Sequence, residues 1–307
     1  MTKFDQFVQD FVDGFSAYLP EEYRNAKIWA EKVTKTNDQI YTGIKIRREG
    51  DVMSPRIYVD GLYDRFRQGM SMEEVFYNAR NDWEWALRHV PELDYIQNLM
   101  NDPEQAKKQI SFRLINREEN LEYLYDRPYM TMADLACVYQ LEIGKDQRAA
   151  IDYKRMDKLG LTLEELHELA MKNTPELLPL KIERVGEALG IGTFERDLIV
   201  IGNTDGVDGA AAVLYPGVQE RLEDMLNGDF WILPCSIHEV LAAKKEDAMP
   251  LEHLQAIVRE INGTSAVMRK EDILSNEVYS LKDRELSIAR PEPMRQKESP
   301  GRDDDAR

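Results

Sequence analysis

The block spanning 196–263 constrains the fold more than any other part of the chain. RDLIVIG is a short apolar run and reads as a strand. NTDGVDG (203–209) concentrates Asn, Asp and Gly, the residues that supply tight turns, and AAAVLY reads as the returning strand of a hairpin. PGVQERLEDMLNG reads as a helix, with Pro216 at its start and Gly228 past its end. DFWILP and HEVLAAKK read as two further strands, and PLEHLQAIVREING as a second helix closed by Gly263. The order strand, strand, helix, strand, strand, helix predicts two tandem units. An apolar face must be buried against another element, so these units imply an antiparallel sheet covered by helices on one face.

The rest of the chain fits the same class. Phe4, Phe7, Val8, Phe11, Val12 and Phe15 recur at helical spacing, which predicts an amphipathic helix over 3–18 that packs on the protein's own core. Ile40, Thr42, Ile44 and Ile46 alternate with Tyr41, Gly43 and Lys45, which predicts a strand. REGDVMSP supplies a turn, and RIYVDGLYDRF reads as an extended piece running into a short helix. MSMEEVFYNARNDWEWALRHV reads as a helix capped by Ser71 ahead of Glu73 and Glu74. PELDYIQNLMNDPEQAKKQ is helical or connecting, ISFRLIN (110–116) a strand, NREENLEYLYD (116–126) a short helix and RPYM a turn. MADLACVYQLEIG predicts a long strand with Leu135, Cys137, Tyr139 and Leu141 on one face. LTLEELHELAMKNTP (161–175) predicts a helix opened by a capping box of Thr162 and Glu165 and closed by Pro175. The fold class is therefore α+β, a mostly antiparallel sheet with covering helices. KIERVGEALGIGTFERD separates an N-terminal α+β region (1–185) from a C-terminal tandem ββα region (186–289), and the proline-rich, charged tail (290–307) reads as disordered.

Charge narrows the function classes. A net charge of −17 opposes bulk binding to nucleic acid or anionic membranes, both of which call for a cationic surface. The basic stretch with Lys45, Arg47, Arg56, Arg65 and Arg67 is diluted by Glu49, Asp51, Asp60 and Asp64, and reads as a solvated sheet face. No apolar run approaches the roughly 20 residues that span a bilayer, and the acidic N-terminus does not resemble a signal peptide. The two cysteines, Cys137 and Cys235, lie far apart, as reduced thiols of a cytoplasmic protein do.

Candidate chemistry concentrates in LPCSIHEV (233–240). Cys235, Ser236, His238 and Glu239 supply a nucleophile, a base and an orienting acid, but they fall at the turn of a predicted hairpin, whereas a working Cys/His pair usually joins separate elements. Cys235 and His238 form half of a zinc spacing, and Cys137, His89, His167 and His253 offer no second pair, so no metal is expected. HELAM and HEVLA carry Met171 and Ala242 where a zinc-protease helix needs its second His. Glu164 and His167 give one E-x-x-H where a di-iron bundle needs two. GNTDGVDGAAA lacks the Lys of a phosphate loop and the terminal Glu of a calcium loop, so no cofactor is expected.

V-x-K-x-N (33–37), Y-T-G-I-x-I (41–46), S-P-x-I-Y-V (54–59), Y-x-x-F-x-x-G (63–69), FRLIN (112–116), ADLACVY (133–139), G-A-A-A-V-L-Y-P-G-V (209–218) and I-L-P-x-S-I-H-E-V (232–240) follow one another in an order that resembles the uncharacterised clostridial proteins grouped as domain of unknown function 5688. The resemblance covers roughly 4–289. It implies a cytosolic bacterial protein of unknown activity, often carried near mobile elements, with no catalytic residues to transfer. In that family Ser is usual where this chain has Cys235, a departure that weakens the thiol nucleophile and leaves Ser236, His238 and Glu239 as the shared polar turn. The leading expectation is a non-enzymatic module that binds another protein. One alternative is a hydrolase or transferase in which Ser236, His238 and Glu239 meet Asp205 or Asp208 from the neighbouring turn. Another is an acidic DNA mimic.

Overall fold

The computed structural model describes residues 2–51, 54–89, 99, 101–144, 147–188, 198–246, 249–264 and 268–291. The predictions for 91–98, for the 189–197 part of the separator and for the tail after 291 lie outside the described residues.

Helix α1 (Lys3–Gly14) opens with a capping box between Thr2 and Asp5 and runs into a 3₁₀ turn at Phe15–Tyr18. Phe7, Phe11 and Phe15 are buried, as the helical spacing predicts. They pack on a three-stranded antiparallel sheet, β1 (Lys27–Thr34), β2 (Ile40–Arg47) and β3 (Arg56–Tyr58), together with α2 (Asp60–Arg67) and α3 (Met72–Arg88). The capping box of Ser71 and Glu74 starts α3. Gly43 on β2 has a local reason: a Cβ there would collide with the Arg56 side chain, which crosses it to reach Glu31. Lys45 meets the same Glu31 at 3.2 Å, so the basic stretch is matched by acid on its own sheet.

A second sheet is built on β6 (Leu135–Gly144). Its neighbours are β4 (Ile110–Asn116) on one edge, and β5 (Tyr129–Met132) and β7 (Gln147–Ala150) on the other. RPYM, predicted as a turn, already belongs partly to β5. The chain reverses later, at Ala133, which carries a positive φ of 54°. Leu135, Cys137, Tyr139 and Leu141 do share one face and sit in the main apolar cluster. Helix α4 (Leu163–Leu177) starts at Thr162 with the predicted capping box, but Pro175 lies within its last turn rather than ending it. A proline there forfeits only one helical bond, and Leu178 N–H still donates to the Thr174 carbonyl at 2.8 Å.

The third sheet has the order β13-β12-β10-β11-β9-β8. Its strands are β8 (Leu180–Arg184), β9 (Leu198–Asn203), β10 (Phe230–Pro234), β11 (Val240–Lys244), β12 (Tyr279–Lys282) and β13 (Glu285–Ile288), with helices α5 (Val218–Leu226) and α6 (Leu251–Gly263) between them. Two sequence expectations change here. AAAVLY does not return as a strand: Gly209–Leu214 is a fully buried 3₁₀ helix. β8 and β11 already occupy both edges of β9, and the small side chains of Ala210, Ala211 and Ala212 let the turn lie against it. The strand, strand, helix order survives because β8, not AAAVLY, partners β9. Nor do the helices share a face. Phe230 and Ile232 of β10 join the cluster with Leu222 of α5, whereas Trp231 and Leu233 pack with Leu254 and Val258 of α6 on the other side. Strand alternation makes both burials possible at once.

The 185/186 boundary falls between β8 and β9, which are hydrogen-bonded to each other, and one apolar cluster unites Phe112 and Cys137 with Ile201 and Ile232. The first sheet is fastened to the rest by Asn37, which adopts φ 56°. Its N–H donates to Asn120 Oδ1 at 2.7 Å, and its amide donates to the carbonyls of Lys270 at 2.7 Å and Ile273 at 2.8 Å.

Candidate functional site

The loop 235–239 joins β10 to β11, whose last paired residues are Pro234 and Val240. Its backbone groups and the Ser236 and His238 side chains are engaged within the fold. Ser236 N–H donates to the Glu239 carbonyl at 3.0 Å, and Ser236 Oγ accepts from His238 N–H at 3.0 Å and Glu239 N–H at 3.3 Å. This is the side-chain turn that Ser forms by mimicking a backbone carbonyl. The loop is anchored at both flanks: Ile237 N–H donates to the Asp272 carbonyl at 2.8 Å, and Ala210 N–H donates to the Ile237 carbonyl at 3.2 Å.

The His238 ring lies between two aspartates. Nδ1 accepts from the Asp208 backbone N–H at 3.2 Å, and Nε2 faces Asp272 Oδ1 at 3.3 Å. An N–H donated to Nδ1 fixes the tautomer with its proton on Nε2, where it can donate to the carboxylate. Arg269 Nε holds the other oxygen of Asp272 at 2.7 Å. Gly209 is required beside this contact, because a Cβ there would overlap the His238 carbonyl and come within 2.7 Å of Asn203 N.

The two turn aspartates separate. Asp208 gives its backbone to His238 and its carboxylate to the largely buried Arg113 at 3.4 Å, with Gln140 at 3.5 Å. Asp205 pairs instead with Arg148 at 3.3 Å. Arg148 also meets Glu142 at 3.1 Å, and Ser111 Oγ donates to Glu142 at 2.6 Å. Burial pushes the Glu142 carboxyl above its ordinary range, against the opposing pull of Ser111 and Arg148. Ser111, Arg113, Gln140, Glu142 and Arg148 form a polar network on the second sheet, joined by Asp205 and Asp208 from the 203–209 turn, that no sequence motif announces. Its one signal is local: Ser111 and Arg113, and Gln140 and Glu142, are polar residues two apart within otherwise apolar strands.

Cys235 faces elsewhere. It lines an apolar groove of 350 Å³ with Leu198, Leu233, Leu241, Ile257 and Ile261. Burial, aided by the charge of Glu239, pushes its thiol up to about 12, so the nucleophilic thiolate is scarce at neutral pH. α6 packs on Trp231 and Leu233 of β10, and the groove runs between its Ile257–Ile261 side and Leu241 of β11 and Leu198 of β9. Ile257 and Ile261, one helical turn apart on the rim, are 36% and 42% exposed. Thus the loop brings Ser236, His238 and Glu239 into one turn and Asp208 to its edge, while Cys235 opens onto the opposite side.

Among the described residues no three or more His, Cys, Asp or Glu side chains are grouped to hold a metal ion, and no helix is long and apolar enough to cross a membrane. Comparison with curated proteins and with solved structures found no match. The model of a family of unknown function, DUF5688, matches residues 4–282, so the chain belongs to that family.

Proposed function

We propose that the chain is a non-enzymatic protein-binding module of a bacterial cytosol, and that its docking surface is the apolar groove beside α6. The observation that carries this reading is an apolar floor left open on a chain of net charge −17. Exposed contiguous apolar surface is costly to a soluble protein unless something covers it. The occupant that fits is the apolar face of a basic amphipathic helix. Ile257 and Ile261 offer helical spacing, and the exposed acids Glu239 and Glu260 stand within two positions of the groove-lining Leu241 and Ile261, while Lys244 lines the groove itself. The engagement of Ser236 and His238 within the fold supports the 235–239 loop as a brace for this edge rather than as a catalytic centre.

The test compares the intact chain with an Ile257→Lys/Ile261→Lys variant. A Leu/Lys amphipathic peptide should bind the intact chain and protect Cys235 from alkylation, and the variant should lose at least about tenfold in affinity, or about 1.4 kcal/mol. In the native host, a partner retained by the intact chain should be lost by the variant. Peptide binding without protection of Cys235, or equal retention of partners by both chains, would overturn the reading.

A further inference from the structure

A separate pocket of 410 Å³ lies where β5, α4 and the β12–β13 turn converge. Met130 and Met132 of β5 line it, as do His167 and Met171 of α4. The two methionines on β5 are two apart and share a strand face. His167 and Met171 are four apart and share a helix face. Two elements thus bring three thioethers and one imidazole to one cavity.

The imidazole is held in a particular way. His167 Nδ1 lies 3.0 Å from the hydroxyl of the buried Tyr139. In the tautomer whose Nδ1–H donates to that hydroxyl, the lone pair is left on Nε2. Among the described residues Nε2 has no hydrogen-bond partner, and it is not among the buried unpaired atoms. A metal-binding His is commonly oriented this way, by a hydrogen bond from its other ring nitrogen.

We propose that Met130, Met132, Met171 and His167 bind a soft monovalent metal ion, Cu(I) or Ag(I). Thioethers are neutral, polarisable donors that select such ions over hard divalent ones. Methionine's three flexible bonds let the sulfurs close on an ion without moving the backbone. Asp283 and Glu285, against Arg284, give the same pocket one net negative charge to balance the ion.

Silver(I) is the probe, because it has no redox chemistry under these conditions. The full chain with Cys235→Ser, which removes the half-buried thiol, should bind one equivalent by native mass spectrometry. In the same protein, selectively ¹³C-methyl-labelled at methionine, three methyl resonances of the 13 methionines should shift strongly. Met130→Leu/Met132→Leu should weaken binding, whereas Met225→Leu, outside the pocket, should not. Tyr139→Phe removes only the hydroxyl that orients His167 and should cost about 10–100-fold in affinity. Absence of stoichiometric binding, shifts at other methionines, affinity indifferent to Met130→Leu/Met132→Leu or to Tyr139→Phe, or zinc binding as tight as silver, would each overturn the proposal.

Discussion

The six-stranded sheet has one sealed face and one partly open face, made by alternate residues of the same strands. On the sealed side Ile199, Ile201, Ile232 and Ala242 meet α5, the buried 3₁₀ turn and the second sheet, and all four are fully buried. On the other side α6 packs on Trp231 and Leu233 of β10, and Leu241 and Leu198 remain half-exposed on the floor of a groove. The apolar residues are of the same kind on both faces. What differs is whether a second layer covers them, and that difference separates the part of the molecule that supplies stability from the part that offers a surface.

The comparison breaks most decisively at the polar edge of the sealed side. Asp208→Ala leaves the largely buried Arg113 without its carboxylate and should cost about 3–5 kcal/mol, measured by urea denaturation. A loss under 1 kcal/mol would mean that water reaches Arg113 and that this side is not sealed. Within the apolar layer, Ile232→Ala should cost about 2–5 kcal/mol, and Leu241→Ala on the open face clearly less. Equal costs would erase the distinction between the faces. Asn37→Ala, which removes the amide linking the first sheet to the Lys270 and Ile273 carbonyls, should lower stability by about 1–3 kcal/mol. Ile257→Lys/Ile261→Lys should leave stability within about 0.5 kcal/mol of the parent while abolishing peptide binding. A large drop in Tm would make the groove part of the core instead.

The two cysteines sharpen the same contrast kinetically. Burial pushes both thiols up to about 12, but Cys137 is fully buried and Cys235 lines the groove. A raised thiol pKa means that the thiolate gains population only at high pH. Alkylation of Cys235 should therefore be slow and keep accelerating past about pH 8.5, where a free cysteine levels off. Cys137 should react only when the protein opens. A fast Cys235 reaction that levels off below pH 8 would instead indicate activation by a neighbour and revive the catalytic reading of the loop.

Elements whose signals are contained within a few residues were legible. The capping boxes of Ser71 with Glu74 and Thr162 with Glu165 connect positions three apart, and the structure forms both. The alternation in 40–46, the strand read in ISFRLIN (110–116) and the hairpin around 235–239 likewise place their elements. AAAVLY was not legible. Its six residues suit a strand as well as a buried turn, and the choice was made by β8 and β11 occupying the edges of β9. The polar network was hidden for the same reason. Arg113 and Asp208 are 95 positions apart, and neither stands in a pattern that names the other.

The sequence by itself determined the α+β class, the helix starts, most of the strands in the interior of the sheets and the turn that holds Cys235, Ser236, His238 and Glu239. These follow from backbone preference and apolar periodicity, which act over a few residues. Tertiary structure alone decided that Cys235 and His238, three positions apart, serve opposite sides of the sheet edge. It also decided that α5 and α6 cover different faces, and that the groove floor beside α6 stays open. Those outcomes depend on which distant segment reaches each edge and face first, a competition among long-range contacts that local patterns do not record.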